Sequence, residues 1–397
     1  MNRRLLFAAA IALLCATAAA PDSARPGPNA TTVSCGQTLT RSTTLANDLL
    51  NCPHNGLVVG AGNITINLNG HTIDGTNARE PGTGGIATNN HANVTIENGT
   101  ITDFYYAGVY LGPRNVARKL TVRKIGAGCK QGDICAGIVL VKSSGSKIAN
   151  CVVSNDVRAF QVNGIDVYNS PGTRVERNRI LRNAGEGLAV FGSPRTRVIG
   201  NELDGNRNGM DANNGSDSIT VTGNHARGNR LAGLAVGALR GARVLGNVAS
   251  GNGDDGLFLF DLRNSVVRGN RASGNFTGLH LYGGQGGVAQ FGGKHGARGN
   301  RLIGNSATRN SHAGIWVKGD DRRDAVDDNL VSRNLADRNG RAGGIAVQAS
   351  AKGNRLRGNR ANANSGHGIT AVRGTIDGGG NHARGNRRNP QCVGVRC

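Results

Sequence analysis

A glycine followed by alternating apolar residues recurs along the chain. Examples are Gly164-Ile165-Asp166-Val167-Tyr168, Gly187-Leu188-Ala189-Val190-Phe191, Gly233-Leu234-Ala235-Val236, Gly256-Leu257-Phe258-Leu259-Phe260, Gly278-Leu279-His280-Leu281-Tyr282, Gly314-Ile315-Trp316-Val317 and Gly344-Ile345-Ala346-Val347. Alternation with period two predicts a strand that buries one face. A second short apolar stretch precedes an asparagine, as in Thr196-Arg197-Val198-Ile199-Gly200-Asn201, and a third lies between that asparagine and another five residues on. The pairs run Asn150/Asn155, Asn178/Asn183, Asn201/Asn206, Asn224/Asn229, Asn247/Asn252, Asn270/Asn275, Asn300/Asn305, Asn329/Asn334, Asn359/Asn364 and Asn381/Asn386, and from Asn178 to Asn270 the first member recurs every 23 residues.

A fixed period in the twenties marks a solenoid. Three short strands and three turns per period predict an all-β parallel β-helix, about 12–13 coils of roughly 23 residues. Asparagine suits the turns, because it tolerates a left-handed backbone. Stacked coils would bring equivalent amides to about 4.8 Å, where they hydrogen-bond as a ladder. The helix is expected over residues 63–389, with 21–62 as an N-terminal cap and 390–397 as a tail that closes the other end, since open ends expose strand edges.

Composition supports this picture. There are 63 glycines and 4% aromatics, which favours many turns and small inward side chains over packed helices. Residues Met1 to Ala20 read as a secretory signal: Arg3 and Arg4, an apolar run Leu5–Leu14, then small residues, with cleavage expected between 18 and 24. The run is too short to span a bilayer, and no other stretch qualifies. Export predicts an oxidising compartment, periplasmic, secreted or at a bacterial cell surface. There the close cysteine neighbours would pair as Cys35–Cys52, Cys129–Cys135 and Cys392–Cys397, leaving Cys151 as a buried thiol. No CxxC spacing is present, and no acidic cluster clearly calls for calcium, so no metal or other cofactor is assigned.

The formal charge of +22 favours a polyanionic partner such as a uronate polysaccharide. A specific nucleic-acid site is not expected, because the arginines follow the repeat.

In each glycine-led strand the first and third residues after the glycine face the core, so the second and fourth point outward. These outward rows hold much of the aromatic content. They place Asp166, Tyr168, Phe191, Asn213, Phe258, Phe260, Tyr282, Trp316 and Lys318 as a sugar-binding groove, since exposed rings stack on pyranose faces. Asp211, Asp254, Asp255 and His280 converge over about three coils and are the candidate catalytic groups, with His280 as base. Asp166 and Asp211, two coils apart, stand ~10 Å from each other, near the limit for an inverting glycosidase pair. The coil after His280 is enlarged by Gly283–Gly299, a candidate cover for the groove.

The stretch Asn63-Ile-Thr-Ile-Asn-Leu-Asn-Gly-His71-Thr-Ile-Asp-Gly75 resembles the opening coil of secreted bacterial right-handed parallel β-helix proteins of the pectate-lyase-like superfamily, and Cys35-Gly36 and Cys52-Pro53 resemble the segment that precedes it. The resemblance covers roughly residues 33–389. It implies a right-handed helix and a range of functions: polysaccharide lyases, polygalacturonases, epimerases, depolymerases, copper-delivery proteins and non-catalytic adhesins. The chain departs from two of these families. Asp254-Asp255 and Gly366-His367-Gly368 match polygalacturonase elements, but more than a hundred residues separate them here. The Tyr-Gly-x-Asp-Pro-His motif of mannuronan epimerases is missing. The expectation is therefore a monomeric exported protein that binds, and as an enzyme would cleave by lyase or hydrolase chemistry, an acidic polysaccharide. The alternatives are a non-catalytic envelope or adhesion module and, more weakly, a copper-handling protein.

Overall fold

The computed structural model describes residues 29–80, 83–131, 133, 135–156, 161–284, 296–319, 326–348 and 352–397. The expected export signal lies outside them, as does most of the Gly283–Gly299 loop. Among the described residues the regular structure is all strand, and no helix is long and apolar enough to cross a membrane.

The glycine-led strands stack into one parallel sheet of fifteen, from Gln37–Leu39 to Cys392–Val393. The first inward position runs in register through Ile165, Leu188, Met210, Leu234, Leu257, Leu279, Ile315, Ile345 and Ile369. All are completely buried. Each such burial removes a whole apolar side chain from water and contributes about 1.5–3 kcal/mol. The two other strands of each coil stack in the same manner. Arg174–Glu176 pairs with Arg197–Ile199, and Arg179–Leu181 pairs with Glu202–Asp204. The result is the solenoid the repeat predicts.

The asparagines form ladders, with a geometry the spacing alone does not reveal. Asn201 donates its backbone N–H and its Nδ2 to Oδ1 of Asn224, both at 2.9 Å, and a further Nδ2 bond to the Val175 carbonyl. One ladder climbs Asn178, Asn201, Asn224, Asn247, Asn270, Asn305, Asn334, Asn359 and Asn381. A second climbs from Asn183 through Asn252, Asn275, Asn310 and Asn339 to Asn386.

Two expectations change here. Most ladder asparagines are not the left-handed residues. That conformation falls one position earlier, at Arg177, Gly200, Gly223, Gly246 and Gly269. Asn150 itself has φ 56°, and the ladder position belongs to Cys151, whose N–H meets Oδ1 of Asn178. Also, Asn300 and Asn329 do not continue the first ladder. They open a third one, Asn300–Asn329–Asn354, above Ser265. A spacing of five therefore joins different ladder columns in different coils.

The three expected disulfides form, and Cys151 is buried and free. Its thiol is pushed up to about 11 by burial, which suits a packing role over a reactive one.

Candidate functional site

The outward face of the fifteen-stranded sheet is wider than strict alternation predicts, and glycine is the reason. A Cβ on Gly256 would lie 2.7 Å from the Gly278 carbonyl and 2.8 Å from Nδ2 of Asn275, inside the coil. Glycine and the residue after it thus both face inward, the strand bends there, and the residue before the glycine faces out. A third outward row results: Asn163, Glu186, Asn208, Ala232, Asp255 and Thr277. The apolar members of the face pack among themselves, apart from the interior core. Ala232 and Ala235 join Phe260 with Phe258 and Tyr282 beside them, and Ala107 and Ala136 join Val139.

Over the middle coils this face forms a cleft of about 600 Å³. Its lining includes Asp211, Asn213, Asp254, Asp255, Phe258, Phe260, His280, Tyr282, Trp316 and Lys318. These are the sequence-derived candidates except Asp166, Tyr168 and Phe191. Asp166 was expected at the surface but is fully buried. Asn163, on the extra row, covers it and donates Nδ2 to its Oδ1 at 2.8 Å. Burial pushes its carboxyl up to about 7, with Glu186 adding to the rise against the Asn163 bond. The Asp166–Asp211 glycosidase pair is thereby excluded as a solvent-facing pair. Tyr168 and Phe191 stack on each other at 5.2 Å, farther along the face. Phe260, also expected at the surface, is buried beside Ala232 and Ala235 and stacks with Phe258 at 5.1 Å, so it supports the cleft wall.

The floor is a run of rings. His280 stacks on Trp316 at 4.6 Å with planes 14° apart, and approaches Phe258 and Tyr282 at 5.5 and 5.4 Å. The Lys318 ammonium sits 5.2 Å from the Trp316 centroid and 5.8 Å from that of Tyr282. Asp255 Oδ2 lies 3.0 Å from His280 Nδ1. An ionised Asp255 accepts Nδ1–H and leaves Nε2 as the ring's acceptor. That Nε2 is covered. Together with Trp316 Nε1, Thr277 Oγ1 and Asp255 Oδ1, it has no hydrogen-bond partner among the described residues. Four unmatched polar atoms in adjacent coils are costly unless a bound group meets them, at about 1–3 kcal/mol each.

At one end of the cleft, Asp211 is half-buried and accepts from Asn213 Nδ2 at 2.9 Å. Burial pushes its carboxyl up to about 7, and Glu186 adds to this. Glu186, missed by the alternation rule, is held by Arg207 Nη1 at 2.7 Å. Asp254 stands exposed on the rim, its carboxyl raised by partial burial and by Asp255. Phe276 and His312 were also missed, since both follow ladder asparagines outside the glycine-led strand. His367, of the Gly-His-Gly, is remote and shares a 2.8 Å bond with the Pro390 carbonyl. Among the described residues no three His, Cys, Asp or Glu side chains gather as a metal site.

The family described as "Right handed beta helix region" matches residues 37–226, 163–293 and 290–387. Among curated proteins nothing matches. Solved structures do, at low identity. The A-module of a mannuronan C-5 epimerase from Azotobacter vinelandii is 13% identical, with a TM-score of 0.55, over 84% of this chain and 91% of that one. A periplasmic alginate epimerase is 12% identical, with 0.52, over 82% and 76%. A surface adhesin of Streptococcus pneumoniae is 10% identical, with 0.54, over 76% and 84%. At such identities these likenesses speak to the fold.

Proposed function

The chain belongs to the right-handed β-helix family, and from that footing we propose that its cleft binds an acidic polysaccharide laid across the coils. One observation carries the reading: a ring floor of Trp316, His280, Phe258 and Tyr282 with the Lys318 ammonium held over it. Flat rings offer stacking faces to pyranoses, and the ammonium offers a counter-charge to a uronate carboxylate. The family spans many activities, so the fold adds no reaction of its own. Two similar structures are named for epimerases and one for an adhesin, in keeping with a chain that works on polymers outside the cytoplasm.

The cleft also has the parts for proton transfer. Elimination on a uronate needs a base for the C5 proton and a neutraliser for the carboxylate. His280, oriented by Asp255, is the base in our reading, and Lys318 the neutraliser. Asp211 stands three coils from His280, ~14 Å at about 4.8 Å per coil, so it lines a neighbouring part of the cleft and the leaving oxygen takes its proton from water. The covered Nε2 of His280 favours a second reading, binding without turnover.

A panel of uronate polymers separates the two. Binding is read by calorimetry, and turnover by ultraviolet absorbance of the unsaturated product and by reducing ends. Trp316→Ala is expected to abolish binding. His280→Ala is expected to abolish turnover while weakening binding less than Trp316→Ala does. Lys318→Ala should weaken charged polymers by about tenfold and spare neutral ones. A wild-type protein that binds but shows no product leaves the binding reading alone standing. One that binds none of the panel overturns both.

A further inference from the structure

The cleft has a wall as well as a floor. Successive backbone bonds stack Arg207, Leu231, Asp254, Phe276 and His312 one per coil: Leu231 N–H to Arg207 O at 2.8 Å, Asp254 to Leu231 at 3.1 Å, Phe276 to Asp254 at 2.8 Å and His312 to Phe276 at 2.8 Å. This column sits at the turn after the second asparagine ladder, beside Asn275 and Asn310, so it stands on a hydrogen-bonded base.

Among the described residues Phe276 is the aromatic one of the exposed large apolar side chains, 43% accessible. An exposed phenyl is ordinarily a loose side chain. This one is fixed from behind by His312, with ring planes 2° apart and centroids 4.8 Å apart. His312 in turn meets Trp316 edge-on at 4.8 Å. The floor rings and the rim ring thus form one contiguous aromatic surface that turns a corner, with the outer face of Phe276 open to solvent. Burial, together with the charge His280 would carry, holds the His312 imidazole below its usual range, which favours the neutral ring that stacks flat on a phenyl.

We infer that Phe276, backed by His312, is an additional sugar-stacking platform at the rim, and that it holds a pyranose unit of the polymer beyond the units on the floor. The inference rests on the polysaccharide reading and adds a length preference: short oligomers fill the floor alone, and longer ones also reach Phe276.

The test is calorimetry with uronate oligosaccharides of increasing length. Phe276→Ala is expected to leave short oligomers unchanged and to weaken long ones by about tenfold, the worth of one aromatic stacking contact. Phe276→Leu, which keeps apolar bulk without a flat face, should behave as Phe276→Ala, and Phe276→Trp should restore long-oligomer affinity. His312→Ala should produce a smaller loss with the same length dependence. Equal weakening at every length, or none at any length, overturns the inference. Trp316→Ala serves as the separate control: if it leaves short oligomers bound, the floor reading fails whatever Phe276 does.

Discussion

Asp166 and Asp211 occupy equivalent positions two coils apart, with Ala189 between them in register, yet only Asp211 reaches the cleft. The residue before the glycine is asparagine in both coils, and each accepts the next coil's N–H on its Oδ1, from Glu186 and from Ala232. Asn163 also donates Nδ2 to Asp166, whereas Asp211 takes its bond from Asn213 on its own strand. Asp166 therefore holds a proton in the folded state to about pH 7, while the unfolded carboxyl loses it near pH 4. The folded state binds more protons across that interval, so its stability falls as pH rises from about 4 to about 7. Asp166→Asn keeps a carbonyl oxygen for the Asn163 amide and removes the ionisation. We expect it to flatten this pH dependence and to raise stability at pH 8 by a few kcal/mol, on the order of 1.4 per pH unit spanned. Urea unfolding of both proteins at pH 5 and pH 8 measures it, and equal slopes would contradict it.

At the scale of the coil, a ladder asparagine in mid-stack is a four-way junction. Asn247 donates to Val221 O and Asn270 Oδ1, and its own Oδ1 accepts the N–H and Nδ2 of Asn224. Asn247→Ala strands those groups in a dry interior, and we expect a loss on the order of 3–5 kcal/mol at about 1–3 per orphaned group. Asn247→Asp keeps the acceptor and fails by burying a charge. An urea midpoint unchanged by either substitution would show that the ladder carries no weight. The coil itself was legible from residues such as Val198, Leu203 and Leu234, because their alternation and 23-residue recurrence are dictated by the pleat. The ladder columns were less so. The five-residue spacing of Asn300 and Asn305 copies that of Asn270 and Asn275, although the first pair spans the third and first columns. The cleft was legible along the second and fourth positions, where Phe258, His280 and Trp316 stand. Asp255 was legible from its place before Gly256, whereas Asn163 and Glu186 required knowing that the glycine bends the strand, and Phe276 and His312 that a turn column borders the sheet.

Across the whole molecule, a formal charge of +22 is spread along the repeat, and many arginines meet acids only at exposed pairs such as Arg298–Asp327 at 3.0 Å and Arg360–Asp337 at 2.8 Å. Exposed pairs of this kind are worth under about 1 kcal/mol, and salt screens them. The surplus charge should act at a distance, drawing anionic chains towards the solenoid. Affinity for a polyuronate is expected to fall by at least about tenfold between low and high salt, and the association rate more than the dissociation rate, as stopped-flow measurements would show. Salt-independent binding would place the affinity in the rings alone. Along the axis, equivalent ladder residues lie 23 apart in the regular coils, then 35, 29 and 25 in the next three. The additional residues of those three coils fall at one corner, between the end of the glycine-led strand and the strand that follows, and the ladders continue past them unbroken. Asp261 closes the first of these insertions like a clasp, its Oδ1 accepting both the Gly284 and Gly296 N–H groups. That corner is a splice point: foreign segments could be grafted there beside the cleft, giving one rigid frame a succession of interchangeable mouths.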